Sequence, residues 1–160
     1  MAKDVKNLRI EGDVAIWPMR EEGKIKGTYV GTFKFRCYLT PMQQIAQNRE
    51  YRELLGNSSP TLADEHTSFM AYALSQLKQR VIEAPPFWSE NKHVSGMDGD
   101  IPDEEIVEAV LNAAITAEVN YKKALADSKE KSIKRAEKGA EAIEKEQEDQ
   151  DDSEAEESDS

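Results

Sequence analysis

The chain is poor in the residues that do covalent and metal chemistry. One cysteine, Cys37, stands in 160 residues. That excludes an internal disulfide framework and a multi-cysteine zinc site, and it fits a reduced compartment. Two histidines, His66 and His93, lie far apart, so there is no His-x-x-x-His metal motif. Gly-x-Ser-x-Gly and phosphate-cradling glycine loops are also missing. No apolar run approaches the roughly 18 residues that a membrane span needs. The opening Met-Ala-Lys-Asp-Val-Lys has no apolar stretch behind it, so no signal peptide is expected. The expectation is a cytoplasmic protein that is not an enzyme, with no catalytic, cofactor-binding or metal-ligating residue nominated.

Charge is abundant instead. Charged residues make up 33% of the chain, and the net charge is −11. Residues 146–160 hold nine carboxylates and no Lys or Arg, which leaves −2 for the first 145 residues. A block of one sign repels itself and cannot bury apolar surface, so residues 146–160 read as a disordered acidic tail. Residues 122–145 hold eight bases against five acids. No aromatics interleave with these lysines, so a base-stacking platform is absent. Net negative charge also opposes non-specific binding to phosphate. Nucleic acid and membranes are therefore not expected partners.

Residues 8–17 alternate, with Leu8, Ile10, Val14 and Ile16 on one side and Arg9, Glu11 and Asp13 on the other. That is the period of a half-buried strand. Gly12 would mark a bulge, and Pro18 would end the strand. A polar loop with Gly23 and Gly27 follows. Residues 28–39 alternate again: Tyr29, Phe33, Phe35, Cys37 and Leu39 face inward, and Thr28, Thr32, Lys34 and Arg36 face outward. Cys37 on the apolar face reads as a small buried hydrophobe.

Thr40-Pro41-Met42-Gln43 is a helix start, with a capping box from Thr40 and Gln43. Gly56 should close this helix. Its apolar residues fall on two sides: Met42, Ile45 and Ala46 on one, Tyr51, Leu54 and Leu55 on the other. The helix is either buried twice or bent. A second helix is expected from Thr61 to Ala84, with a stripe through Phe69, Ala73, Leu77 and Val81. His66 falls within that stripe and reads as a core histidine. Pro85-Pro86 stops the helix, and Phe87-Trp88 should fold back as a lid on the core. Gly96-Met97-Asp98-Gly99-Asp100 lacks the acid order and the twelfth ligand of a calcium loop, so it reads as a turn. Pro102, Asp103, Glu104 and Glu105 suit the first turn of a third helix. Its stripe runs through Ile106, Val107, Val110, Ala114, Ala117, Tyr121 and Leu125, and fails beyond Leu125.

The pattern predicts an α+β fold: a small N-terminal antiparallel β-hairpin packed on a three-helix body. Residues 1–125 form the folded domain, 126–145 a charged, solvent-exposed helical extension, and 146–160 the disordered tail.

Two stretches together carry a resemblance. One is Gly31-Thr-Phe-Lys-Phe-Arg-Cys-Tyr-Leu-Thr-Pro-Met42 with Glu50-Tyr-Arg-Glu-Leu-Leu-Gly56. The other is Ala71-Tyr-Ala-Leu-Ser-Gln-Leu-Lys-Gln-Arg-Val-Ile-Glu-Ala-Pro-Pro-Phe-Trp88. Over residues 28–125 the chain resembles small proteins of tailed-phage structural modules, in particular the tail assembly chaperones. The resemblance implies a virion-morphogenesis protein of the host cytoplasm. Its client would be a tape-measure protein, kept soluble while tail subunits are recruited. Phe87 and Trp88 with Val107, Val110 and Tyr121 of the third helix are the nominated partner contacts, and self-association into a homo-oligomer is a further partner class. The alternatives are a virion structural protein, decorating or joining head or tail, and a single-strand DNA-binding protein with an acidic recruitment tail.

Overall fold

The computed structural model describes residues 5–56, 61–89 and 101–157. Strand β1 (Arg9–Glu11) pairs antiparallel with β2 (Val14–Gly23), which pairs antiparallel with β3 (Gly27–Arg36). Helix α1 (Pro41–Leu55) and helix α2 (Glu65–Arg80) follow, then β4 (Val81–Glu83), a short α3 (Pro86–Ser89) and the long α4 (Glu104–Glu157). The sheet order is β1-β2-β3-β4. The fold is α+β, as expected, but the single hairpin is replaced by a four-stranded sheet.

Three details of that sheet depart from the sequence reading. Gly12 is not a bulge. It has φ 65° and forms, with Asp13, the two-residue turn that joins Glu11 to Val14. Positive φ at the first central residue is the pattern of a type II′ hairpin. The turn also flips the parity of the inward face. Ile10 stands opposite Ala15, so Ile10 of β1 and Leu8 just before it pack against the core, while Ala15, Trp17 and Met19 face it from β2. Val14 and Ile16, expected inside, are only half-buried. Pro18 does not end its strand. It lies within β2 opposite Thr32, past Ile16, the last β2 residue that β1 pairs. One side of β2 is an open edge there, which is where a strand tolerates proline.

Strand β3 follows its predicted alternation. Tyr29, Phe33, Phe35, Cys37 and Leu39 are all buried. Helix α2 is shorter than expected. Asp64, not Thr61, caps it, with the carboxylate accepting from Thr67 N–H at 2.8 Å. It stops at Arg80 because Val81 and Glu83 leave the helix to pair with Phe35 and Lys34 of β3. Two β-branched residues in a row favour that extended edge.

One apolar cluster joins the inner sheet face to Ala73 and Leu77 of α2, Trp88 of α3, and Ile106, Val107 and Val110 of α4. Phe33 lies at its centre, 0% exposed. Its ring is stacked on Phe35 with centroids 5.7 Å apart, and it meets Trp88 edge-on at 5.4 Å. Phe87-Trp88 is therefore a lid: Trp88 is buried, and Phe87 sits edge-on to Tyr29 at 5.0 Å.

The chain divides into two compact units, Met1–Tyr121 and Lys122–Ser160. Leu125, the expected end of the folded domain, belongs to the second unit. Helix α4 does not give way at Glu146 but continues to Glu157. Residues 140–157 contain neither Gly nor Pro and are rich in Ala, Glu and Gln, all good helix formers. The like-charge repulsion that suggested an extended tail is spread over this length. The calcium-like stretch 96–100 and His93 lie outside the described residues.

Candidate partner-binding surface

Helix α1 starts as its sequence dictates. Thr40 Oγ1 accepts from Gln43 N–H at 3.3 Å, and the Gln43 side chain returns the bond to Thr40 N–H at 2.9 Å. Pro41 supplies the first turn, and Gly56 closes the helix with its N–H donating to Glu53 C=O.

One face of the helix is covered, and it is mixed: Gln47 and Glu50 lie beside Leu55 and the half-buried Ala46 and Tyr51. Gln47, Glu50 and Leu55 are its buried residues. Gln47 Nε2 donates to Ser75 Oγ of α2 at 2.9 Å, and Ser75 donates on to Tyr72 C=O at 2.8 Å. Lys78 Nζ donates to Glu50 Oε2 at 3.0 Å. Tyr51 meets Tyr72 edge-on at 6.4 Å.

The opposite face carries Met42 and Ile45, 75% and 55% exposed. Helical spacing continues that face through Arg49 and Arg52. Ile45, Asn48, Arg49, Arg52, Glu53 and Gly56 line an open groove of about 740 Å³. Large apolar side chains beside guanidinium groups make a surface suited to an amphipathic, acidic segment.

The nominated contacts fall elsewhere. Trp88, Val107 and Val110 are buried in the core, so they present no surface to a partner. Phe87 and Tyr121 are half-buried against the same cluster. Tyr121 stacks on Tyr38 with centroids 5.7 Å apart. The helical stripe that suggested these residues is real, but the sheet occupies it. Sequence reasoning missed Met42 and Ile45, although the two-sided apolar pattern of α1 was the available signal.

The most elaborate polar arrangement is at Asp103, which is 0% exposed. Its place in the sequence predicts a dipole-matched residue at a helix start. Instead its carboxylate accepts from Ile25 N–H at 2.6 Å, Lys26 N–H at 3.0 Å and Tyr29 O–H at 2.8 Å. It thereby holds the tip of the β2–β3 hairpin. Gly23 makes room: a Cβ there would fall 2.4 Å from Asp103 Cγ. Burial alone would push this carboxyl up, but the two backbone N–H donors and the phenol outweigh it and hold it below its usual range. Burial, then the Asp103 carboxylate, pushes the Tyr29 phenol up to about 12. A carboxylate saturated with donors is a structural clamp rather than a proton-transfer group.

Burial, with Asp13 and Glu118 adding to it, pushes the Cys37 thiol up to about 11. That makes Cys37 the inert hydrophobe its position suggested. His66 is not a core residue. It is exposed and pairs with Glu104 at 3.0 Å. A second groove, about 850 Å³, runs past Lys6, Arg20, Glu21, Glu22, Glu105 and Glu108. Among the described residues no group of His, Cys, Asp and Glu could hold a metal ion. No described helix is long and apolar enough to cross a membrane.

The structure defines the class of the protein as α+β, with an unpartnered amphipathic helix face. Comparison with protein-family models, with curated proteins and with solved structures finds no match.

Proposed function

We propose that this protein is a non-enzymatic morphogenesis factor of a tailed phage, a tail assembly chaperone acting in the host cytoplasm. Its client is a long helical protein of the tape-measure kind. The outer face of α1 is the observation that carries the reading: Met42 and Ile45 are turned to solvent while Gln47 and Glu50 of the same helix are packed. A client helix lays its apolar stripe on Met42 and Ile45, and its flanking acids meet Arg49 and Arg52. The charged second unit keeps the complex soluble. The resemblance of residues 28–125 to the chaperone family adds to this reading.

The two alternatives fit less well. A virion subunit docking by sheet extension needs an open, flat edge. Strands β1 and β4 are three residues each, and the open edge of β2 carries Pro18, Arg20 and Glu22. Such edges discourage pairing. A single-strand DNA-binding sheet needs exposed aromatics, whereas Trp17, Phe33 and Phe35 belong to the buried cluster.

Co-expression with a tape-measure-like coiled-coil protein tests the proposal. The wild-type chain should raise the soluble fraction of the client. A Met42→Glu/Ile45→Glu double variant should lose that effect while keeping its near-ultraviolet circular dichroism. A client whose solubility is indifferent to the wild-type chain overturns the reading.

A further inference from the structure

Residues 122–157 of α4 make up the described part of the second unit. Every residue from 122 to 149 in it is exposed. Among them are Ile133 and Ile143, each 59% exposed. Ile133, Ala136, Ala140 and Ile143 follow one another at intervals of three, four and three residues. That spacing is the a/d seam of a coiled coil; Gln147 continues it on one side, and Lys129 then Ala126 on the other. Gly139 lies beside the seam, in a helix interior where glycine is unfavourable. A Cβ at Gly139 would meet nothing within 4 Å, so no neighbour in its own chain accounts for it. A bare backbone position beside an apolar seam allows a second helix to approach closely.

The charge pattern says which helix. Residues 122–138 carry seven bases and three acids, a balance of +4. Residues 139–157 carry one base and ten acids, a balance of −9. Two copies aligned in parallel would set acidic half on acidic half. Two copies aligned head to tail set the basic half of each against the acidic half of the other. We propose that the second unit pairs antiparallel with the same unit of a second copy, with the Ile133–Ile143 seams side by side. The charge gradient along the helix selects the orientation, and the short seam provides the apolar contact. This inference is independent of the α1 surface and of the client.

Sedimentation of the full chain over a range of concentrations tests it. The expected result is a reversible dimer whose dissociation constant rises about tenfold or more in roughly 0.5 M salt, where charge contacts are screened. Ile133→Glu with Ile143→Glu should be monomeric, with the tryptophan emission of the first unit unchanged. Orientation is read with a short bis-maleimide, since Cys37 is buried and leaves the unmodified chain unlinked. Ala140→Cys, near the crossing point, should link to itself; Ala126→Cys, far from it, should not. A chain that stays monomeric throughout overturns the proposal. So does a dimer that survives both glutamates, or self-linking of Ala126→Cys, which would mean parallel pairing.

Discussion

Phe33 and Gln47 are both buried, but among different things. Phe33 stands in a cluster of aromatic and aliphatic side chains from the sheet, α2, α3 and α4. Gln47 stands in a seam between α1 and α2 whose buried members include Glu50 and Ser75. The first region is dry and rests on area removed from water, roughly 25 cal/mol for each Å². The second rests on hydrogen bonds, each with a net contribution of about 1 kcal/mol. In the first region the largest apolar residues, Phe33, Phe35, Trp17 and Trp88, are turned in. In the second, Met42 and Ile45 are turned out. An element that buries Gln47 and Glu50 and leaves Met42 and Ile45 in solvent has an apolar contact that the fold does not use.

That contrast can be broken from the core side first. Phe33→Ala should destabilise by about 3–5 kcal/mol in denaturant titration, because a ring packed on all sides leaves a cavity. A loss below about 1 kcal/mol would mean that the aromatic cluster is not the centre of the fold. Acid comes next. The Asp103 carboxylate is held below its usual range in the folded chain. Its contribution is therefore complete above the unfolded value of about 3.9 and is lost as pH falls through the folded one. Asp103→Asn should flatten that part of the acid limb in a pH series of thermal melts. An unchanged acid limb would show that the clamp titrates as an ordinary carboxylate. Tyr29 works in the opposite direction: its phenol is raised to about 12. Its contribution holds below the ordinary value near 10 and is lost as pH rises from there.

The α1–α2 seam should answer more weakly. Gln47→Ala should cost about 1–2 kcal/mol, since Ser75 loses a buried partner. A cost equal to that of Phe33→Ala would erase the distinction between the two regions. The smallest effect is expected at Ile45→Ser, within about 0.5 kcal/mol of wild type by the same titration, because the side chain is exposed and supports no described packing. Its consequence should appear in client solubility instead. A large loss of stability at Ile45 would place it in the fold and remove it from the candidate surface.

The legible parts of this molecule share one property: their signal is local. The capping box at Thr40 and Gln43, the stop at Gly56 and the inward alternation of Tyr29, Phe33 and Phe35 each depend on residues within a turn or a strand of one another. The failures arose where a distant partner intervened. Val81 continues the helical stripe of α2, yet pairing with β3 draws the chain out of the helix after Arg80. Asp103 has the position of a helix-start acid, yet a hairpin tip 78 residues away in the chain claims its oxygens. Val107 and Val110 have the spacing of a binding stripe, and the sheet covers them.

Composition and periodicity by themselves determined the mixed class, the caps of α1, the buried face of β3 and the charge reversal along the end of the chain. These follow from backbone geometry and solvation, which each residue carries wherever it goes. The inward side of β2 is set by the two-residue turn at Gly12-Asp13, a local signal that reverses the parity of the strand. Tertiary structure alone decided that α1 packs through Gln47, Glu50 and Leu55 and leaves Met42 and Ile45 outside. Burial is a relation between elements, and no periodicity within one helix says which of its faces a neighbour will cover.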